Sequence, residues 1–243
     1  MTDTYAFAEK IIEITGLYQD IHDMCAPYRC GGNPDFAAEV SPADIEFERA
    51  KAQREAALEG ITFTDHPDSF FEQFAVYRKI CEKMPYYGTV LFHSSALAVD
   101  GEAYLFTAKS GTGKSTHAAL WKQLLGDGAV IINDDKPLIH IENGRVTAYG
   151  TPWDGKHHLS ANISAPVRAV RILERADENR IVPVTKSEAL PMLIQQTYRP
   201  ADSAALERTL ALVDSLASSV MLYRLSCTPD IDAARLAYET LRG

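Results

Sequence analysis

The stretch AKSGTGKST, residues 108–116, gathers two glycines, a lysine and several hydroxyls where a strand-like run gives way to a helix-like one. A glycine-rich turn in that setting presents backbone N–H groups to an anion, and the helix N-terminus adds the positive end of its dipole. The pattern G-x-x-x-x-G-K-[ST] of phosphate-binding loops is met except at its first position, where Ala108 stands. Ala108 falls at the end of the feeding strand, outside the wrap, and a methyl group is tolerated there at negative φ. On this reading Ser110, Gly111, Thr112 and Gly113 wrap the phosphates, Lys114 reaches the outer ones and Ser115 holds Mg2+. Thr116 completes the nucleotide-binding set, and ATP is the expected donor.

Twenty residues beyond Lys114, VIINDD closes an apolar run in Asp134 and Asp135. A strand that follows the loop's helix and ends in carboxylate sets an acid beside the metal. Two acids at a strand end can reach one site, one binding the cation and the other accepting a proton from an attacking hydroxyl. Asp134 directly ends the apolar run and is assigned to the metal, Asp135 to the base, with the reverse order open. The remaining candidate catalytic group is His93. Asp100-Gly101, between TVLFHSSALAV and EAYLFTA, is a strong two-residue hairpin signal. Seven residues lead from His93 to Asp100 and seven from Gly101 to Ala108. His93 therefore lands level with Ala108, at the mouth of the loop and near the Asp pair.

These groups need a frame of strand, loop, helix and strand. A helix is expected from about Lys114 to Leu125, closed by Gly126, and AVIIN reads as a buried strand. PLIHIENGRVTAY is a second hairpin, turning on Asn143-Gly144. A long loop over 150–165 leads to the strand VRAVRIL, helices near 186–197 and 202–218, the strand VMLYRL and a last helix after Thr228-Pro229. Upstream, Ser41-Pro42 opens a helix that ends before Gly60. Another helix runs from about Asp68 to Met84, with Phe70, Phe71, Phe74, Tyr77, Ile80 and Cys81 as its apolar stripe. Residues 5–15 suit strand or helix alike. The first hairpin makes the loop's strand antiparallel to the strand before it. The expectation is an α/β protein with a mixed sheet: a small N-terminal α+β region over 1–85 and a P-loop core over 86–243.

The 243 residues carry a formal net charge of −9, which argues against nucleic-acid or anionic-membrane partners. No apolar run approaches the length of a membrane span, and the N-terminus lacks the basic and apolar regions of a signal peptide. Cys25, Cys30, Cys81 and Cys227 are scattered and read as reduced thiols. A cytoplasmic protein is expected.

HSSALAVDGEAYLFTAKSGTGKST followed by VIINDD resembles HPr kinase/phosphorylase, in which a histidine precedes the loop lysine at the same distance and the next strand ends in Asp-Asp. SGTGKST with Asp-Asp also resembles the phosphate and metal motifs of phosphoenolpyruvate carboxykinase. The two families share a P-loop core whose loop strand has antiparallel neighbours. The close match covers roughly residues 90–135, and a looser similarity to HPr kinase-like proteins includes YGTPWDGKHH, APVRAVRILER and QQTYRP. The resemblance implies a serine-kinase-type reaction, with His93 beside the Asp pair, Lys114 and Ser115 on ATP-Mg2+, and a homo-oligomeric assembly. GTPWDGKHH stands where that family carries a glycine-rich acidic signature.

The reading is an ATP-dependent kinase acting on a hydroxyl of a small molecule or a peptide. The alternative is a non-catalytic ATP-binding regulator, which would have no need of His93 and the Asp pair. Acceptor contacts are expected from Trp153 and Lys156 in the 150–165 loop, and from Arg199, which could clamp a phosphate.

Overall fold

The computed structural model describes residues 1–155 and 158–240. The chain forms two compact units, Met1–Lys83 and Met84–Gly243.

In the first unit, residues 5–15 resolve into strands. β1 (Thr2–Phe7) and β2 (Lys10–Thr15) pair antiparallel, turning through Ala8 and Glu9 at positive φ. After α1 (Gln19–Cys25), β3 (Phe36–Glu39) adds parallel to β2. α2 (Pro42–Glu59) begins as its sequence predicts: Ser41 and Asp44 form a capping box, Pro42 occupies the first turn, and Gly60 ends the helix at φ 69°. α3 (Asp68–Lys83) buries Phe71, Ala75, Val76, Tyr77, Ile80 and Cys81.

The second unit holds the glycine loop. Its strands are β4 (Thr89–Leu91), β5 (Ser95–Val99), β6 (Glu102–Thr107), then, after α4 (Lys114–Leu125), β7 (Ala129–Asn133), β8 (Leu138–Glu142), β9 (Arg145–Tyr149), β10 (Ser164–Arg175) and β11 (Arg180–Pro183). α5 (Lys186–Gln196), α6 (Ser203–Ser219), β12 (Met221–Cys227) and α7 (Ile231–Glu239) complete it. The sheet is mixed and runs β4-β8-β9-β10-β6-β5-β7, with β12 paired to β10 and β11.

Both hairpin turns form where their dipeptides predict. Asp100 and Gly101, and Asn143 and Gly144, take positive φ at both central positions. TVLFHSSALAV, read as one strand, is two. β4 pairs with β8 while β5 pairs with β6 and β7, and residues 92–94 step between them. The two halves find different neighbours and the chain leaves strand geometry between them, where His93 stands partly exposed.

Alternation along β6 explains the layers. Ala103 and Leu105 face one core with Ile132, Val170, Leu193, Val213 and Leu216 of the α5/α6 side. Tyr104 and Phe106 face another with Trp121 of α4 and Ala234 and Ala237 of α7. Helices thus cover both faces of the sheet around the loop. Among the described residues no helix is long and apolar enough to cross a membrane.

Candidate functional site

Strand direction brings the candidate groups to one rim. β5 is antiparallel to both β6 and β7, so β6 and β7 end on the same side, where β5 begins. Ala108, Asp134, Asp135 and His93 all sit at that edge. The ladder Ser95↔Phe106 extrapolates to His93 opposite Ala108, and Thr107 Oγ1 donates to the His93 carbonyl at 3.0 Å.

Residues 108–113 turn from β6 into α4, with Gly111 at φ 74° and Gly113 at φ 122°, values an L side chain rarely adopts. Ser110, Ser115 and Thr116 are exposed, and Lys114 is buried with its Nζ 3.3 Å from the Ala108 carbonyl. Burial pulls the Lys114 ammonium below its ordinary value, opposed by the charge of Asp135. Arg175, at the end of β10, donates from Nε to the Thr112 carbonyl at 3.2 Å and from Nη2 to that of Gly111. The parallel register Ile172↔Thr107 delivers it there. No local motif marks Arg175; only the pairing of β10 with β6 reveals it.

The two aspartates occupy different environments. Asp134 is 2% exposed; its Oδ1 accepts from the Gly155 amide at 2.6 Å, and its Oδ2 has no hydrogen-bond partner among the described residues. A Cβ at Gly155 would stand 2.7 Å from that Oδ2, so the close approach requires glycine. Asp135 is half-buried. His93 Nε2 lies 2.9 Å from its Oδ1 and Lys136 Nζ bonds its Oδ2. Burial by itself would raise the Asp135 carboxyl, but these two partners hold it well below the usual carboxylate range. Asn133 shapes the turn, its Oδ1 accepting from the amides of Asp135 and Lys136 and its Nδ2 donating to the carbonyls of Thr151 and Trp153.

A buried carboxylate oxygen without a donor suits a hard divalent cation. Among the described residues no cluster of three or more acidic, histidine or cysteine side chains could cage such an ion.

The acceptor candidates fare differently. The Trp153 ring is buried, 4% exposed, and what it offers the site is its carbonyl, bonded to Asn133. Lys156 lies outside the described residues. Arg199 is exposed, and its segment runs antiparallel to residues 91–93: Gln196 bonds His93, Thr197 bridges Phe92 and Tyr198 bonds Leu91. The chain thus passes His93 and reaches Leu91 before it arrives at Arg199.

A family model described as "SynChlorMet cassette protein ScmC" matches residues 69–210, more than half of the chain. No curated protein matches. Solved structures that match include the HPr(Ser) kinase/phosphatase from Coxiella burnetii, at 14% identity and a TM-score of 0.37, covering 63% of this chain and 88% of that one.

Proposed function

This chain belongs to the ScmC family, and we propose that it is a magnesium-dependent phosphotransferase that uses ATP to phosphorylate a hydroxyl of a small molecule or peptide. The observation that carries the reading is the meeting of three parts at one rim: the glycine loop with buried Lys114, the donor-free oxygen of Asp134, and the bonded pair of His93 and Asp135. A nucleotide-holding regulator has no use for the third part.

In this reading the loop is a P-loop. The backbone N–H groups of residues 110–113 hold the phosphates, and Lys114 neutralises the outer ones. Asp134 Oδ2 and Ser115 Oγ would hold Mg2+, which when bound would offset charge on the phosphoryl group in transfer. Asp135 stays ionised across the working pH range, so alone it is a weak base. An ionised carboxylate has no proton to share, so the bond to His93 is made by Nε2–H, leaving the lone pair on Nδ1. The acceptor's proton is taken there, with Asp135 orienting the ring and balancing the imidazolium.

The test is transfer of labelled γ-phosphate from ATP-Mg2+ to a panel of hydroxyl metabolites and serine-containing peptides. Lys114→Ala should lower turnover by roughly 10²–10³, about 2.7–4 kcal/mol of transition-state stabilisation. Turnover unchanged by Lys114→Ala would sink the assignment, and ATP binding with no transfer to any acceptor would leave the regulator.

A further inference from the structure

A cavity of about 400 Å3 lies in the first unit. Ala52 and Ala56 of α2, Phe70, Phe71 and Phe74 of α3, and Phe63 between the two helices line it. Its volume falls within the ~300–1,000 Å3 usual for small-molecule sites, room for one or two large apolar side chains. It opens to solvent: Ile61 at its edge is 60% exposed. The segment 61–66 forms no helix or strand, yet it is tied down. The Ile61 amide donates to the Ala56 carbonyl at 3.0 Å, Arg49 donates to the His66 carbonyl at 3.0 Å, and the His66 ring packs 4.3 Å from that of Phe70. These ties preform the hollow.

Charge selects what would cover it. Residues 1–83 carry sixteen Asp and Glu against eight Lys and Arg, whereas residues 84–243 carry seventeen against sixteen. Nearly all of the net charge of −9 thus sits on the first unit. Beside the hollow, Glu46, Asp65 and Asp68 share the single guanidinium of Arg49. Glu55 is one of its lining residues and makes no ion pair among the described residues, while Lys51 lies 3.7 Å from Glu48 Oε2. A second copy would bring the same excess of carboxylates against itself and be repelled. Glu46 and Glu55 stand nine residues apart on α2, about 13 Å along its axis. One small cation cannot serve both, but about four residues of extended chain can.

We propose that this groove docks a basic peptide segment, with a large apolar side chain in the hollow and flanking Lys or Arg residues against the surrounding carboxylates. The proposal stands apart from the phosphotransferase reading, and its test uses no nucleotide.

The probe is a random dodecapeptide display library panned against the full-length chain. A chain carrying Ala52→Trp, which fills the hollow, serves as the counter-selection. Enriched peptides should carry a Phe, Trp, Leu or Met within about four residues of two or more Lys or Arg. A synthetic peptide of the enriched sequence should bind roughly tenfold more weakly to the Ala52→Trp chain and roughly threefold more weakly to a Glu55→Lys chain. Glu55 is exposed, so its substitution leaves the core untouched. Affinity should also fall with added salt, as contacts between exposed charges do. With a benzophenone in place of the apolar side chain, crosslinks to the unsubstituted chain should map to residues 48–74, a readout that holds whether or not Ala52→Trp folds. No enrichment, enrichment of acidic sequences, affinity unchanged by Glu55→Lys, or crosslinks confined to residues 84–243 would overturn the proposal. Self-association of the chain that Ala52→Trp abolishes would give the groove to a second copy and overturn it as well.

Discussion

The two adjacent aspartates differ in what surrounds them, and that difference assigns them separate tests. Asp134→Asn keeps the shape beside Gly155 but removes the negative charge and replaces one oxygen by an NH2 group; the expected outcome is a rise of tenfold or more in the Mg2+ needed for half-maximal turnover. Asp135→Asn should leave ATP binding intact and lower kcat by roughly 10²–10⁴, through loss of imidazole orientation and charge. Small and equal effects would remove the division of labour. His117 gives a prediction of another kind. It is buried, accepts from Trp121 Nε1 at 3.1 Å, and burial, reinforced by the cation of Arg171, pushes it down to about 3. Because the folded value lies below the unfolded one, near 6.5, protons favour the unfolded chain between these limits. Stability is whole above pH 6.5 and declines as pH falls toward 3, by about 2 kcal/mol between pH 7 and pH 5. Denaturant melts across that window should show this slope, and His117→Gln should flatten it. The meeting of the candidate residues at one rim was legible because glycine-rich turns, paired acids and a hairpin dipeptide are local signals. His117 was not, because its behaviour is set by Arg171, which arrives from a strand more than fifty residues later.

Elements whose ends carry their own chemistry were legible in the same way: the Ser41-Pro42 start of α2, the two turn dipeptides, and Gly126 after α4. β3 and β11, four residues each, were not, since strands that short exist through their neighbours rather than their propensity. The break between β4 and β5 belongs with them, decided by which partners each half finds. The end of β10 makes the element-level prediction. Arg175 ties the Gly111 and Thr112 carbonyls of the loop to the end of the strand beside it. Arg175→Ala should raise KM for ATP roughly tenfold, a loss in keeping with one charged hydrogen bond. It should also speed amide exchange at residues 111–113. Unchanged exchange would show that the loop holds its shape without this tie.

At the scale of the molecule, the two cores around the loop and every candidate reacting group lie within Met84–Gly243. A fragment of residues 84–243 should melt cooperatively and bind ATP-Mg2+ within about threefold of the full chain; a fragment that folds but binds nothing would show that the site draws on the first unit. Within this unit the Asp100-Gly101 turn has a consequence beyond stability. A two-residue turn leaves no slack, so every residue on one arm is indexed to one on the other. The count of residues between His93 and the glycine loop is then a gauge rather than a length. One residue added between His93 and Asp100 would shift the histidine's register against the loop, and one added between Gly101 and Ala108 would shift the loop against the histidine. The number of residues between positions 93 and 108 is therefore constrained beside their identities, and the spacing survives only matched steps on both arms.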